Sequence, residues 1–141
     1  MAEIRYVVRG VIDNDAFNHV HAAAFGHRVL RWNWSRQFHQ HSLSWVCGFE
    51  GDDLVGFVNL AWDGGVHAFL LDTAVLPDRQ GNGIGRRLVE VVLDDGVKRA
   101  PLEWIHVDSS AELMDGFYGP AGFESTPAGL VAASTIRGQQ D

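Results

Sequence analysis

The chain has little of what marks several large classes of protein. It carries one cysteine in 141 residues, Cys47, which excludes an internal disulfide framework and makes a reducing, cytoplasmic setting the expectation. No stretch approaches the ~20 apolar residues of a membrane-spanning helix, so no membrane partner is expected. The opening MAEIRYVVRG has neither the basic start nor the apolar run of an export signal. Positive charge is scarce: 11 Lys and Arg stand against 18 Asp and Glu, for a net charge of −7. Nucleic-acid-binding domains usually carry a basic patch, and this balance argues against such a partner. It is compatible with a cationic substrate. The histidines lack metal spacing. His19 and His21, like His39 and His41, are two apart, which on a helix turns them away from each other, and no metal is expected.

What is present is the composition of an ordinary globular protein, 46% hydrophobic and 21% charged, at a length that suits one domain over residues 1–141. IRYVVRG reads as an opening strand. In DNDAFNHVHAAAF, Asp13 or Asn14 is the candidate N-cap, Phe17, Val20, Ala24 and Phe25 recur at helical spacing, and Gly26 stops the helix. RWNWSRQFHQHS reads as a second short helix. The strands SWVCGFE and LVGFVNLAW are joined by the turn GDD, and HAFLLDTAVL follows the turn DGG. A helix is predicted over 84–99, with Ile84, Leu88, Val91 and Val92 on one face and Lys98 and Arg99 at its C-terminal end. LEWIHV reads as a strand, AELMDGFYGPA as a short helix, and GFEST and AGLVAAS as closing strands.

One stretch asks for a chemical explanation. VLPDRQGNGIGRRLVEVV places Gly81, Gly83 and Gly85 between a strand and a helix, then sets Arg86 and Arg87 in the first helical turn. Cations there oppose the positive end of the helix dipole. The spacing fails the dinucleotide fingerprint, because the sixth residue from Gly81 is Arg86, and it fails the P-loop pattern. Glycines at this point remove side chains where backbone N–H groups face outward, which admits a pyrophosphate. Arg79, Arg86 and Arg87 are placed to add charge-assisted contacts.

Gln80-Gly81-Asn82-Gly83-Ile84-Gly85 resembles the pyrophosphate-binding motif Q/R-x-x-G-x-G/A of the GNAT superfamily of acyl-CoA-dependent N-acyltransferases. Val75-Leu76-Pro77 is similar to that family's V-x-P strand exit, and Phe117-Tyr118 with Gly122-Phe123 to its FY…GF ending. The order of elements matches as well. The resemblance implies an α/β (α+β) fold with a mixed, mostly antiparallel sheet of about six to seven strands flanked by about four helices. It implies acetyl-CoA as co-substrate and a bulged strand before the motif, whose backbone near Val75 pairs with the pantetheine arm. The pyrophosphate would lie on the amides from Gly81 to Arg86. Homodimers are common for such folds.

For catalysis, the resemblance makes Tyr118 the group that protonates the departing thiolate, a role a phenol suits. Asp72 stands in the otherwise apolar AFLLDTAVL, where an unpaired carboxylate is costly to bury. It is the first candidate for proton acceptor, with capping of backbone amides as its other reading. Asp108, after EWIHV, is the second, against a role as N-cap of the next helix. The glutamate expected on the fourth strand is absent, which leaves a water-relayed base open. So is the family's asparagine before FY, where Ser109 or Ser110 stands instead. His67 and His106 are candidates to line the site, and Trp32 and Trp34 fall in the family's acceptor lid, with ordinary packing of a short helix as their other and leading reading. Asp72, Asp108 or Asp63 would give an acceptor wall favouring polycationic amines. The leading function is acetylation of a small-molecule amine. The alternatives are a protein N-terminal or lysine acetyltransferase, and a non-catalytic acyl-CoA-binding module, against which Tyr118 speaks.

Overall fold

A computed structural model describes residues 3–139. One compact unit ends at Ser109 and a second begins at Ser110. In the first, five strands lie in the order of the chain: β1 (Ile4–Val8), β2 (Ser42–Glu50), β3 (Asp53–Trp62), β4 (His67–Val75) and β5 (Trp104–Val107). Neighbours are antiparallel except β4 and β5, which run parallel. The sheet is thus mixed and mostly antiparallel, as expected.

Helices α1 (Asn14–Phe25) and α2 (Trp34–His41) cover one face. Asp13 is the N-cap of α1, accepting from the amides of Asp15 and Ala16, and Gly26 closes the helix in the left-handed region at φ 72°. Phe17, Val20, Trp34 and Phe38 pack with Trp45, Cys47 and Phe57 from the sheet. Each large side chain buried in this way contributes about 1.5–3 kcal/mol. The buried face of α1 is turned from the predicted one: Asn18 is inside and Phe25 is 51% exposed. Asn18 is satisfied there, because its Oδ1 accepts from Trp34 Nε1 at 2.8 Å and its Nδ2 donates to the Trp32 carbonyl at 3.0 Å. Cys47 is a fully buried free thiol, and burial pushes it up to about 12.

Helix α3 (Ile84–Arg99) packs on the other face, burying Ile84, Leu88, Val89 and Val92. Its approach depends on Gly56 of β3. A Cβ there would meet the Ala74 carbonyl oxygen at 2.8 Å and Leu88 Cδ1 at 3.2 Å.

In the second unit, Ser110 accepts from the Leu113 amide at 3.2 Å and caps the short α4 (Ala111–Leu113). That helix widens into a π-helical turn, Met114–Tyr118, closed by Gly119 N–H donating to the Met114 carbonyl at 2.6 Å. The expected closing strands are corrected here. Residues 123–132 contain no strand, and α5 (Ala133–Gly138) is helical where AGLVAAS was read as extended. The sheet therefore has five strands rather than six or seven, with five helices among the described residues. β-Propensity expresses fit to a partner strand, and in GFEST and AGLVAAS it finds none.

Candidate active site

Strand β4 ends in the glycine loop. After Val75 the chain makes a 3₁₀ turn over Pro77–Arg79, then Gly81 and Gly83 take φ of +82° and +80°, where a side chain is strained. Nothing lies within 4 Å of the position a Cβ would occupy at either glycine, so the loop leaves an open cradle. Gly83 is the N-cap of α3 and offers no side-chain bond to the first turn, which also holds no acidic residue. The first intrahelical bond runs from the Arg87 amide to Gly83 O at 3.0 Å. The N–H groups of Ile84, Gly85 and Arg86 thus have no acceptor within the helix, and they face the cradle's anion-favouring end.

Side chains hold this loop in shape rather than reach outward. Gln80 Nε2 donates to the Val75 carbonyl at 3.1 Å, and Asn82 Nδ2 to the Arg79 and Gln80 carbonyls at 3.1 and 3.3 Å. Arg79 is a clamp: its Nε and Nη2 donate to the two oxygens of Glu50 at 2.8 and 3.2 Å, and its Nη1 to Asp78 at 2.9 Å. The hydrogen bond from Arg79 holds the Glu50 carboxyl below the usual glutamate range. Arg86 and Arg87 lie near Glu90, at 3.8 and 3.3 Å. Both guanidiniums are largely exposed.

The second element of the site is where β4 parts from β5. Their pairing runs from His67↔Trp104 to Leu70↔Val107 and stops. Beyond it, β4 keeps β3 on one side and has no strand opposite on the other among the described residues. A bulge falls at this point. Phe57 pairs Ala74 and Asn59 pairs Leu71, so β4 carries one extra residue, and Asp72 sits at φ 52°. Asp72 therefore escapes strict alternation. Thr73 Oγ1, beside it, is buried without a hydrogen-bond partner.

Asp72 turns toward α1, where its Oδ1 lies 3.4 Å from His21 Nε2. It caps no amide that the structure shows. His21 Nδ1 is 2.7 Å from His27 Nε2, and His27 Nδ1 is 2.6 Å from the Arg28 carbonyl. Testing the paired histidines only for metal spacing, and finding none, missed this arrangement. The usable signal was that His21 lies one helical turn from both Phe17 and Phe25.

Asp108 follows Val107 directly, exposed at the same parting of the strands. It does not cap the next helix, since Ser110 does. Asp63 belongs elsewhere, in the β3–β4 turn, where the Gly65 and His67 amides hold its carboxyl below the usual range. His67 and His106 do come together, Nδ1 to Nε2 at 2.7 Å, with Phe69 stacked on His106. Trp34 is core, whereas Trp32 is 54% exposed beside an open groove of about 440 Å³ that Arg31 and Arg36 also line. In the second unit, Tyr118 is buried and Phe117 half-buried. The Tyr118 ring meets Phe117 and Phe123 edge-on, at 4.8 and 5.8 Å between centroids.

A mixed sheet that parts at a bulge, followed by a bare helix N-terminus in a glycine cradle, is the frame of an acyl-CoA-dependent acyltransferase. The chain belongs to the acetyltransferase (GNAT) family, whose pattern it matches over residues 12–123. Over 103 residues it is 30% identical to GCN5-related N-acetyltransferase 1, chloroplastic, of Arabidopsis thaliana. The match covers 73% of this chain and 51% of that protein, so the chain spans about half the length of this curated relative. Among solved structures, the probable acetyltransferase SA2161 of meticillin-resistant Staphylococcus aureus superposes with a TM-score of 0.76 at 18% identity, covering 92% of this chain and 98% of that one. The aminoglycoside N-acetyltransferase AAC(6')-Iy in complex with CoA gives 0.71 at 15% identity, covering 94% and 95%. At these identities the likeness is one of fold.

Proposed function

We propose that the protein is an acetyl-CoA-dependent N-acetyltransferase acting on the amine of a small molecule by direct attack on the thioester. The observation that carries this reading is the cradle at Gly81 and Gly83. It is open to an anion, bare of acidic groups in the first helical turn, and joined to a strand whose outer edge is free from the bulge onward. Acetyl-CoA, when bound, supplies the acetyl group as an activated thioester. In our reading, the amides of Gly81 to Arg86 hold its pyrophosphate. The free edge of β4 near Val75 pairs with the arm, with Gln80 and Asn82 setting the loop's shape and Arg79 its anchor to β2. The fold shared with an aminoglycoside N-acetyltransferase is consistent with a small polar amine as acceptor.

Two protons must be handled. An acceptor that arrives as an ammonium ion loses one before it attacks, and the departing thiolate gains one. We assign the first to Asp72, with Asp108 as the other carboxylate at the parting of the strands. Tyr118 donates the second. A single domain over residues 1–141 and a cytoplasmic setting complete the reading: the family match takes in residues on both sides of Ser110, and the buried, unpaired Cys47 suits a reducing compartment. No helix among the described residues is long and apolar enough to cross a membrane.

The test is CoA release from acetyl-CoA across a panel of aminoglycosides, amino sugars, polyamines, amino acids and peptides. Turnover with a small amine above the peptide background is expected. CoA binding without turnover on any amine would make the protein a binding module instead.

A further inference from the structure

The tautomers of His27 and His21 follow from their partners. His27 Nδ1 lies 2.6 Å from a carbonyl oxygen, which only accepts, so this nitrogen carries hydrogen. In the neutral ring His27 Nε2 is then an acceptor. His21 Nδ1, 2.7 Å away, must donate to it. That leaves His21 Nε2 bare in the neutral ring, and it faces a carboxylate oxygen of Asp72 at 3.4 Å. Two lone pairs therefore oppose each other until one more proton enters. The chain Asp72–His21–His27 is complete only with that extra proton.

Its surroundings suit a ring that gains charge without moving. His21 is boxed by Phe25 from α1 at 4.6 Å, Trp34 from α2 at 4.9 Å and Phe57 from β3 at 6.4 Å between centroids. Aromatic rings within about 6 Å, as those of Phe25 and Trp34 are, attract a cation. From β4 the group that faces it is Asp72, and from the segment after α1 it is His27. Among the described residues, Asp72 is the carboxylate within ion-pair distance of His21. His27, at the far end, is exposed to solvent.

The geometry points to a proton relay, in which His21 and His27 carry the acceptor amine's proton from Asp72, at the bulge, to solvent. This rests on the acetyltransferase reading above. The proton leaving the ammonium nitrogen enters by way of Asp72 onto His21 Nε2. The hydrogen on His21 Nδ1 passes to His27 Nε2, the exposed His27 ring turns off the Arg28 carbonyl to give one proton to water, and both rings regain hydrogen on Nδ1 by exchange with water before the next turnover. One proton enters and one leaves, matching the net proton released when an ammonium acceptor becomes an amide. His21 and His27 are positioning residues here, acting through Asp72.

Two measurements test the relay. In ¹⁵N NMR of the wild-type protein at alkaline pH, both rings should show hydrogen on Nδ1. Hydrogen on Nε2 of either ring would overturn the relay whether or not the protein is active. In steady-state assays, His21→Gln should lower kcat/KM for the amine by about 10- to 100-fold, at or below the low end of what a proton-transfer group in direct contact with substrate supplies. The variant's rate should climb with pH where the wild type levels off, recover with added imidazole, and leave the KM for acetyl-CoA unchanged. A purely structural loss would show neither the changed profile nor the recovery. If His21→Gln fails to fold, His27→Gln, on the surface, carries the same signatures at smaller size. A wild type that acetylates amines while these variants keep its rate and profile overturns the relay alone. A wild type that acetylates no amine overturns the acetyltransferase reading, and the relay with it.

Discussion

The glycine loop and the bulge of β4 flank one strand end, yet they are assembled from different materials. From Arg79 to Arg86 the groups proposed to bind are backbone amides, and the side chains of Arg79, Gln80 and Asn82 are struts: Gln80 to the Val75 carbonyl, Asn82 to two loop carbonyls, Arg79 to Glu50. At the bulge the groups proposed to act are side chains, Asp72 against His21 and His21 against His27, with Asp72 standing 51 residues from His21 in the chain. A backbone site tolerates many side chains but few conformations. A side-chain site reverses this.

The largest effect should follow from violating the loop's conformation and charge together. Gly83→Asp puts a β-carbon at φ +80° and a carboxylate at the anion cradle, and should raise the KM for acetyl-CoA by about 100-fold or more. Calorimetric titration of CoA into the folded variant checks this, and unchanged affinity would remove the cradle from the binding site.

Tyr118→Phe should keep CoA binding and lower kcat by about 100-fold, toward the low end of what a general acid supplies. Full kcat in that variant would assign the proton to water.

Gly56→Ala tests the scaffold under both regions. Its new methyl would meet the fixed Ala74 carbonyl and Leu88, so a loss of about 1–3 kcal/mol is expected in urea unfolding. The smallest effect belongs to Glu50→Gln, which loosens the clamp on Arg79 and should raise the KM for acetyl-CoA a few-fold. Glu50 titrates lower when folded, so the clamp contributes above the ordinary glutamate value of 4.5 and is lost as pH falls through the lowered one. Wild type and Glu50→Gln should therefore converge in stability on acidification. A difference that persists in acid would mean Glu50 acts through something other than its charge.

The same contrast governs what could be read in the sequence. Helix α3 runs from Ile84 to Arg99 as its periodicity indicates, and the loop was legible because glycine spacing is itself the backbone requirement. The bulge was expected only through family resemblance, and its residue, Asp72, could not be oriented by alternation. His21 was legible as a residue of α1 but not as the partner of Asp72, 51 residues on, because nothing local encodes that contact. GFEST and AGLVAAS failed for the opposite reason: their local composition suits a strand, but a strand is defined by its neighbour. Arg79 looked like a phosphate ligand by charge and position, and the acid that engages it, Glu50, stands 29 residues earlier.

Cys47 gives the protein a built-in indicator of its own opening. The thiol is fully buried, pushed to about 12, and single in the sequence. The thiolate is the reactive form, so a disulfide reagent finds almost none of it while the sheet is closed. Such a reagent can count the thiol of released CoA without a background from the folded enzyme. In the absence of substrate, the slow labelling of Cys47 instead times the excursions that unseat β2 from its neighbours.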